Sequence, residues 1–148
     1  MKREFSAGGI VFRQQPTTVW LICQHSQHKG WVFPKGLIGD TKENETKEET
    51  AVREVKEETG IDGRIIKPLP SAVQYWYQCK KEKIFKTVYF FLMQYVDGDF
   101  SNHDHEMMDV RWATKKEVKE ILTYENDQKA FDEALTLFEK LTINFLSP

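Results

Sequence analysis

GDTKENETKEETAVREVKEETGI, residues 39–61, decides the reading of this chain. Its last nine residues, REVKEETGI, put Glu54, Glu57 and Glu58 at the i, i+3, i+4 spacing of one helix face. At about 100° per residue the three carboxylates share an arc of roughly 100°. Like charges so arranged repel, and a helix built only for stability avoids them or interleaves partners. A hard divalent cation removes the conflict, because Mg²⁺ takes oxygen ligands and tolerates several carboxylates. A cation held this way usually acts on phosphates. The residues therefore point to a metal site on a helix.

Thr46 and Glu49 have the spacing of a capping box, so the helix is expected to start there and run to about Thr59. Gly60 follows in the left-handed capping position. Ala51, Val52 and Val55 point away from the carboxylates and are expected to pack on a sheet. Arg53 lies off the centre of the acidic face. It is expected to orient neighbouring carboxylates, Glu45 or Glu49, by charge-assisted hydrogen bonds.

Residues 6–12 (SAGGIVF) and 19–23 (VWLIC) read as strands, with a turn containing Pro16 between them. Residues 31–33 are a short apolar segment stopped by Pro34, and residues 35–45 read as a loop. Residues 71–79 (SAVQYWYQC) and 86–96 (KTVYFFLMQYV) read as two more strands, joined through KKEKIF. The second of these is almost continuously apolar, which predicts a central place in the sheet. Residues 110–112 make a last short strand. Thr114 and Glu117 cap a further helix, and Phe131, Ala134, Leu135, Phe138 and Leu141 mark a final amphipathic one. Irregular alternation with hairpins predicts an α/β fold with a mixed β-sheet between helices, as a single domain over residues 1–148.

The chain has 148 residues, 40% hydrophobic and 30% charged, a composition that excludes a disordered protein. Its net charge of -2 supplies no basic field for long nucleic acid. Cys23 and Cys79 lie in strand-like text without metal-type spacing and are expected to be buried thiols. No apolar run reaches membrane-span length and no signal-like segment opens the chain, so no membrane association and a cytoplasmic location are expected.

Residues 39–61 resemble the Nudix box, Gly-x5-Glu-x7-Arg-Glu-U-x-Glu-Glu-x-Gly-U with U aliphatic. Gly39, Glu45, Arg53, Glu54, Val55, Glu57, Glu58, Gly60 and Ile61 all match. The opening AGGIVF strand, the PKG turn and the Glu106-x5-Trp112 segment are similar to the family as well. One departure is visible. In many relatives the PKG glycine is itself the first box glycine; here it is Gly36, and Asn44 stands where glycine usually precedes the glutamate. Asn tolerates positive φ better than most residues, so the turn is feasible.

The resemblance implies an α/β/α sandwich that hydrolyses a nucleoside diphosphate linked to another moiety, with Mg²⁺ or Mn²⁺ held by Glu54, Glu57 and Glu58. It places a further metal-binding or basic carboxylate at Glu106. Lys35 and Lys86 are positioned to meet phosphates, and the strand face carrying Tyr75 and Tyr77 could stack a base. WVFPKG, the QYWY…KTVYFFL hairpin and HDHEMMDVRW look most like the asymmetric diadenosine tetraphosphate hydrolase branch. Three alternatives stay open: a diphosphatase acting on ADP-ribose or a nucleoside triphosphate, one acting on an RNA 5′ end, or a domain that senses a nucleotide without cleaving it. The expected partner is a small nucleotide, and the expected assembly a monomer or small homo-oligomer. Glu57 and Glu106 both remain candidates for the base. His103 and His105 lack a third ligand and are expected to face solvent.

Overall fold

The computed structural model describes residues 1–40 and 42–146. Residues 41, 147 and 148 of the expected single domain lie outside the described residues. The elements run β1 (Lys2–Arg13), β2 (Val19–His25), β3 (Trp31–Val32), β4 (Lys35–Leu37), α1 (Lys47–Thr59), β5 (Ile61–Pro68), β6 (Val73–Cys79), β7 (Glu82–Gly98), β8 (Met107–Ala113), α2 (Lys115–Ile121) and α3 (Glu125–Leu146). A 3-10 turn, Phe100–Asn102, precedes β8.

The eight strands form one mixed sheet with the path β3-β2-β1-β7-β5. β1 and β7 run parallel at its centre, from the pair Lys2↔Ile84 to Phe12↔Gln94, and every other pairing is antiparallel. β7 is the buried central strand that its apolar run predicts. Its early part pairs with β6 and its later part with β5. β1 also changes partner. Its middle, Ser6 to Gly8, pairs with β4, and only Phe12 and Arg13 pair with β2. β2 pairs further along with β3 and β8.

Alternation along the strands makes two apolar layers. One face presents Val11, Leu21, Phe91 and Met93 to Ala51 and Val55 of α1. The other presents Ile10, Trp20, Phe33 and Val88 to Phe131, Ala134 and Leu135 of α3 and to Val118 of α2. The result is helix, mixed sheet, helix, as expected. Among the described residues no helix is long and apolar enough to cross a membrane.

Four expectations are corrected. Residues 35–45 are not all loop, since β4 occupies Lys35–Leu37. β5 follows α1 where no strand was expected. Lys80 and Lys81 alone make the turn between β6 and β7, both at positive φ as a tight hairpin requires, so the rest of KKEKIF is strand. Finally, only Cys23 is a buried thiol; Cys79, beside that turn, is exposed.

Candidate active site

The site is built on α1. Thr46 caps the helix, accepting from Glu49 N at 3.1 Å while Glu49 Oε1 accepts from Thr46 N at 3.1 Å. Gly60 closes it at φ 83°, and its N–H donates to Lys56 O. Glu49 is thereby committed to the cap, which leaves Glu45 as the partner of Arg53. The guanidinium grips Glu45 with two bonds, Nε to Oε2 at 2.8 Å and Nη2 to Oε1 at 2.9 Å. Its Nη1 donates to Glu54 Oε1 at 2.9 Å and to Glu57 Oε2 at 3.1 Å. Thr50 Oγ1 adds a 2.7 Å bond to Glu45. Hydrogen bonds from Arg53 hold the Glu45 carboxyl down at about 2. Arg53 thus bonds three carboxylates, Glu45, Glu54 and Glu57, where Glu45 or Glu49 was expected. Asn44 takes the positive φ of 68° that the turn into Glu45 demands.

The three helix glutamates differ in setting. Glu57 is exposed, whereas Glu54 is 7% and Glu58 3% exposed. Glu58 lies against β4 and accepts from Lys35 N at 3.1 Å. Glu54 fits beside β4 because Gly36 has no side chain; a Cβ there would sit 2.1 Å from the Glu54 carboxyl carbon. Burial raises the pKa of both carboxyls. At Glu54 Arg53 opposes the rise, while Glu57 and Glu106 add to it. At Glu58 Glu54 adds to it and Lys35 opposes. Among the described residues no three His, Cys, Asp or Glu side chains already converge as a metal-binding cluster. Glu54 and Glu57 are drawn onto Arg53, whose charge satisfies them in this arrangement. The donor set that lines the cavity, Glu54, Glu57, Glu58 and Glu106, is nevertheless all carboxylate, which suits a hard divalent cation.

Glu106 arrives on the segment before β8. Glu106 N donates to Asp104 Oδ1 at 3.1 Å, its carbonyl accepts from Ser26 N at 2.9 Å, and Asp104 N donates to Glu57 O at 2.9 Å. These bonds tie the segment to α1 and to the end of β2. The exposed Glu106 side chain lines the same cavity as the three helix glutamates. His103 is half-buried, its ring bonded to Asp104 O, and His105 is exposed; neither lines that cavity.

Two chambers adjoin. The smaller, about 350 Å³, contains Glu54, Glu57, Glu58 and Glu106. The larger, about 770 Å³, contains Tyr75, Tyr77, Tyr124, Asn126 and Asp127. Lys35, Lys86 and Tyr75 belong to both walls, as do His25 and His28. Tyr75 and Tyr77 share a face of β6, with ring centroids 6.3 Å apart, and Trp76 lies on the opposite, exposed face. Tyr77 donates its hydroxyl to Glu4, and Lys86 Nζ stands 4.0 Å from Glu4 Oε1. Burial lowers the pKa of Lys86, Lys35 lowers it further, and Glu4 opposes. Burial also works against the charge on Lys35, but Asp127, Tyr75 and Glu58 outweigh it and hold its pKa up.

Sequence reasoning missed His25, His28, Tyr124, Asn126 and Asp127. His25 ends β2 and His28 lies in the loop that follows, their rings stacked with centroids 4.3 Å apart and an interplanar angle of 8°. Tyr124 immediately precedes α3, and Asn126 and Asp127 lie in its first turn, where Asn and Asp read only as ordinary residues. Nothing local marked them.

A model of the NUDIX domain matches residues 2–135. The chain is 33% identical over 145 residues to the mutator protein named MutT4 of Mycobacterium tuberculosis (strain CDC 1551 / Oshkosh), a match covering 93% of this chain and 57% of that protein. It is 36% identical over 87 residues to a Bacillus subtilis protein named 8-oxo-dGTP diphosphatase YtkD, covering 53% of this chain and 51% of that one. The chain thus spans little more than half the length of these relatives. A crystal structure of a C. elegans Ap4A hydrolase binary complex superposes with a TM-score of 0.74 at 21% identity, covering 93% of this chain and 98% of the other, a likeness of fold.

Proposed function

This chain belongs to the Nudix family, and from that premise we propose that it is a metal-dependent pyrophosphohydrolase acting on a nucleoside diphosphate joined to another moiety. The observation that carries the reading is the pairing of two opposite sets of charge in one cleft. Four carboxylates, Glu54, Glu57, Glu58 and Glu106, face a wall carrying Lys35 and Lys86. The carboxylates are the donors that would hold Mg²⁺ or Mn²⁺. Bound there, the cation would neutralise diphosphate oxygens and acidify a water.

The protein's own groups supply the rest. Lys35 and Lys86 pair with phosphate oxygens by charge-assisted hydrogen bonds and hold the chain of phosphates along the shared wall. Water attacks a phosphorus, a P–O–P bridge breaks, and the water's proton passes to a carboxylate. Glu57 and Glu106 are the candidates for that role, being exposed side chains in the cleft wall. Arg53 keeps Glu54 and Glu57 oriented from behind. Tyr75 and Tyr77 offer ring faces beyond the lysines, where a base could stack.

The leading substrate class is a dinucleoside polyphosphate, with diadenosine tetraphosphate the first compound to try. Two chambers in series, one charged and one aromatic, suit a long phosphate chain with a base at its end. The two relatives with mutator and diphosphatase names favour a second reading, a nucleoside triphosphate cleaved to its monophosphate. A panel of diadenosine tetraphosphate, nucleoside triphosphates, ADP-ribose and a 5′-triphosphorylated RNA, incubated with Mg²⁺ or Mn²⁺ and separated by chromatography, decides between them. ATP plus AMP from diadenosine tetraphosphate supports the first reading. Faster release of diphosphate from a nucleoside triphosphate supports the second. No product from any of them removes the hydrolase reading.

A further inference from the structure

Residues 74–78 read QYWYQ, the same in both directions about Trp76. They lie in β6, which pairs with β7 alone among the described residues, so its other edge is open. An open edge invites a further strand, and proteins usually guard it with a charge, a proline or a bulge. Between Val73 and Cys79 β6 carries none of these. Trp76, at its centre, is 50% exposed. Its ring packs on Phe85 of β7 with centroids 4.8 Å apart, and Arg3 of β1 follows Phe85 in the same cross-strand row.

The backbone of β6 has the same symmetry as its side chains. Lys80 and Lys81 form a two-residue turn, at φ 49° and 70°, so Cys79 and Glu82 on either side of it exchange hydrogen bonds. Bonded and non-bonded positions alternate from there, which aims the N–H and C=O groups of Gln78, Trp76 and Gln74 at the open edge. Trp76 is the midpoint of that set. A two-fold axis beside it sets Trp76 opposite Trp76 and Gln74 opposite Gln78, and each outward N–H then meets an outward C=O. Moving the axis by one residue puts Tyr75 or Tyr77 at the centre, whose backbone groups are already spent on β7.

We propose that β6 joins β6 of a second copy of this chain, antiparallel about a two-fold axis at Trp76, to make one continuous sheet across a homodimer. The interface is isologous, one patch meeting itself. On the exposed face the row Arg3, Phe85, Trp76 continues across the axis into its own copy, and aromatic pairs directly opposite one another stabilise a sheet. Charge supports the same register. It brings Lys80 and Lys81 of one copy beside Ala72 and Ser71 of the other, where Glu133 of α3 accepts from Ser71 N at 3.0 Å. Residues 71–79 hold no charge, so no like charges meet along the strands. On the opposite face Tyr77 of one copy stands across from Tyr75 of the other. Both tyrosines line the larger chamber, so each copy adds a ring at the rim of its neighbour's chamber.

Sedimentation velocity of the wild-type protein from micromolar to near-millimolar concentration tests the dimer, and three variants test its register. Wild type is expected to pass reversibly from monomer to dimer. Trp76→Lys sets two like charges on the axis and removes the central aromatic pair. It should weaken self-association by about tenfold or more, as loss of an interface tryptophan does. Gln78→Pro removes an outward N–H that β7 does not use, so it should weaken the dimer while the hairpin stays folded. Circular dichroism checks the fold of each variant, and the exposed Trp76→Lys decides the matter if Gln78→Pro unfolds. Val73→Cys gives the positive test. In the proposed register residue 73 of one copy faces Cys79 of the other as a non-bonded pair, with Cα atoms about 4.5 Å apart, within disulfide range. Copper–phenanthroline oxidation should therefore link the introduced thiol to Cys79. Within one chain these positions are about 20 Å apart along an extended strand, so the link must join two copies. A wild type that sediments as a monomer throughout overturns the proposal. So does a dimer that survives Trp76→Lys unchanged, or one in which the introduced thiol does not link to Cys79.

Discussion

Glu58 and Asp127 are two buried carboxylates that Lys35 serves from between the chambers. Each is an acid whose folded pKa lies above its unfolded value. Such a group binds its proton more tightly when folded, so its favourable contribution is complete below the unfolded pKa and is lost as pH rises through the folded one. For Asp127 the window runs from the ordinary 3.8 up to about 6. Above it the ionised group costs on the order of 2–3 kcal/mol, at about 1.4 kcal/mol per pKa unit. Asp127→Asn should therefore raise stability in urea unfolding at pH 7.5 and gain little at pH 4. An equal effect at both pH values would mean that the carboxylate is not desolvated. Glu58→Gln is expected to behave likewise in sign, because burial raises its pKa too and an amide oxygen can still accept from Lys35 N. Its turnover should nevertheless fall by about 10²-fold or more, as when a metal donor or proton acceptor is removed. A variant active at near-normal rate would remove Glu58 from the site. Groups that stabilise the protein when neutralised and disable it at the same time are retained for function rather than for folding.

At the scale of elements, α1 was legible because its signals are local. Thr46, Glu49 and Gly60 bound a helix whatever it packs against, and the spacing of the glutamates is a property of the helix alone. β4 and β5 were not legible. β4 is three residues long and exists because β1 offers it Ser6, Ala7 and Gly8 as partners. β5 pairs with β7 through two register shifts, around Gly63 and Lys67, which erase the alternation that marks a strand. Two glycines now separate folding from function. At both Gly36 and Gly60 an added Cβ would come within 2.1 Å of another atom. At Gly36 that atom belongs to the movable Glu54 carboxyl, while at Gly60 it is the Asp99 carbonyl of a backbone already at φ 83°. Gly36→Ala should leave the melting temperature within a few degrees and cut turnover by displacing Glu54. Gly60→Ala should cost about 1–3 kcal/mol, as strain in the left-handed region does. The reverse pattern, with Gly36→Ala unfolding the chain at full specific activity, would show that Glu54 has no task in the cleft.

For the whole molecule, the net charge of -2 conceals a division of labour. Acid gathers at the α1 end of the cleft, while Lys35 and Lys86 stand in the wall that joins the two chambers. The box residues could be found in one stretch of chain, but that wall could not. It draws on β4, β6, β7 and the start of α3, brought together only when β2 leaves β1 and α3 folds back over the sheet. Lys86 was singled out as a lysine in an apolar strand, and its place explains it. It is half-buried beside Glu4, with Lys35 and burial both disfavouring its charge, so an anion in the cleft relieves a real cost. Each phosphate added to a substrate extends the anion along this wall. Lys86→Ala should thus weaken binding by about 1–3 kcal/mol, the range for a hydrogen bond to a charged group. The loss should be largest for a dinucleoside tetraphosphate and smaller for a two-phosphate compound such as ADP-ribose. Steady-state kinetics with Mg²⁺ across substrates of two, three and four phosphates measures it as a graded rise in KM. A uniform rise would place Lys86 at the one diphosphate that every substrate shares, and an unchanged KM throughout would take it out of the binding wall. Only the graded result fits a phosphate chain that runs from the carboxylate helix past both lysines toward the aromatic chamber.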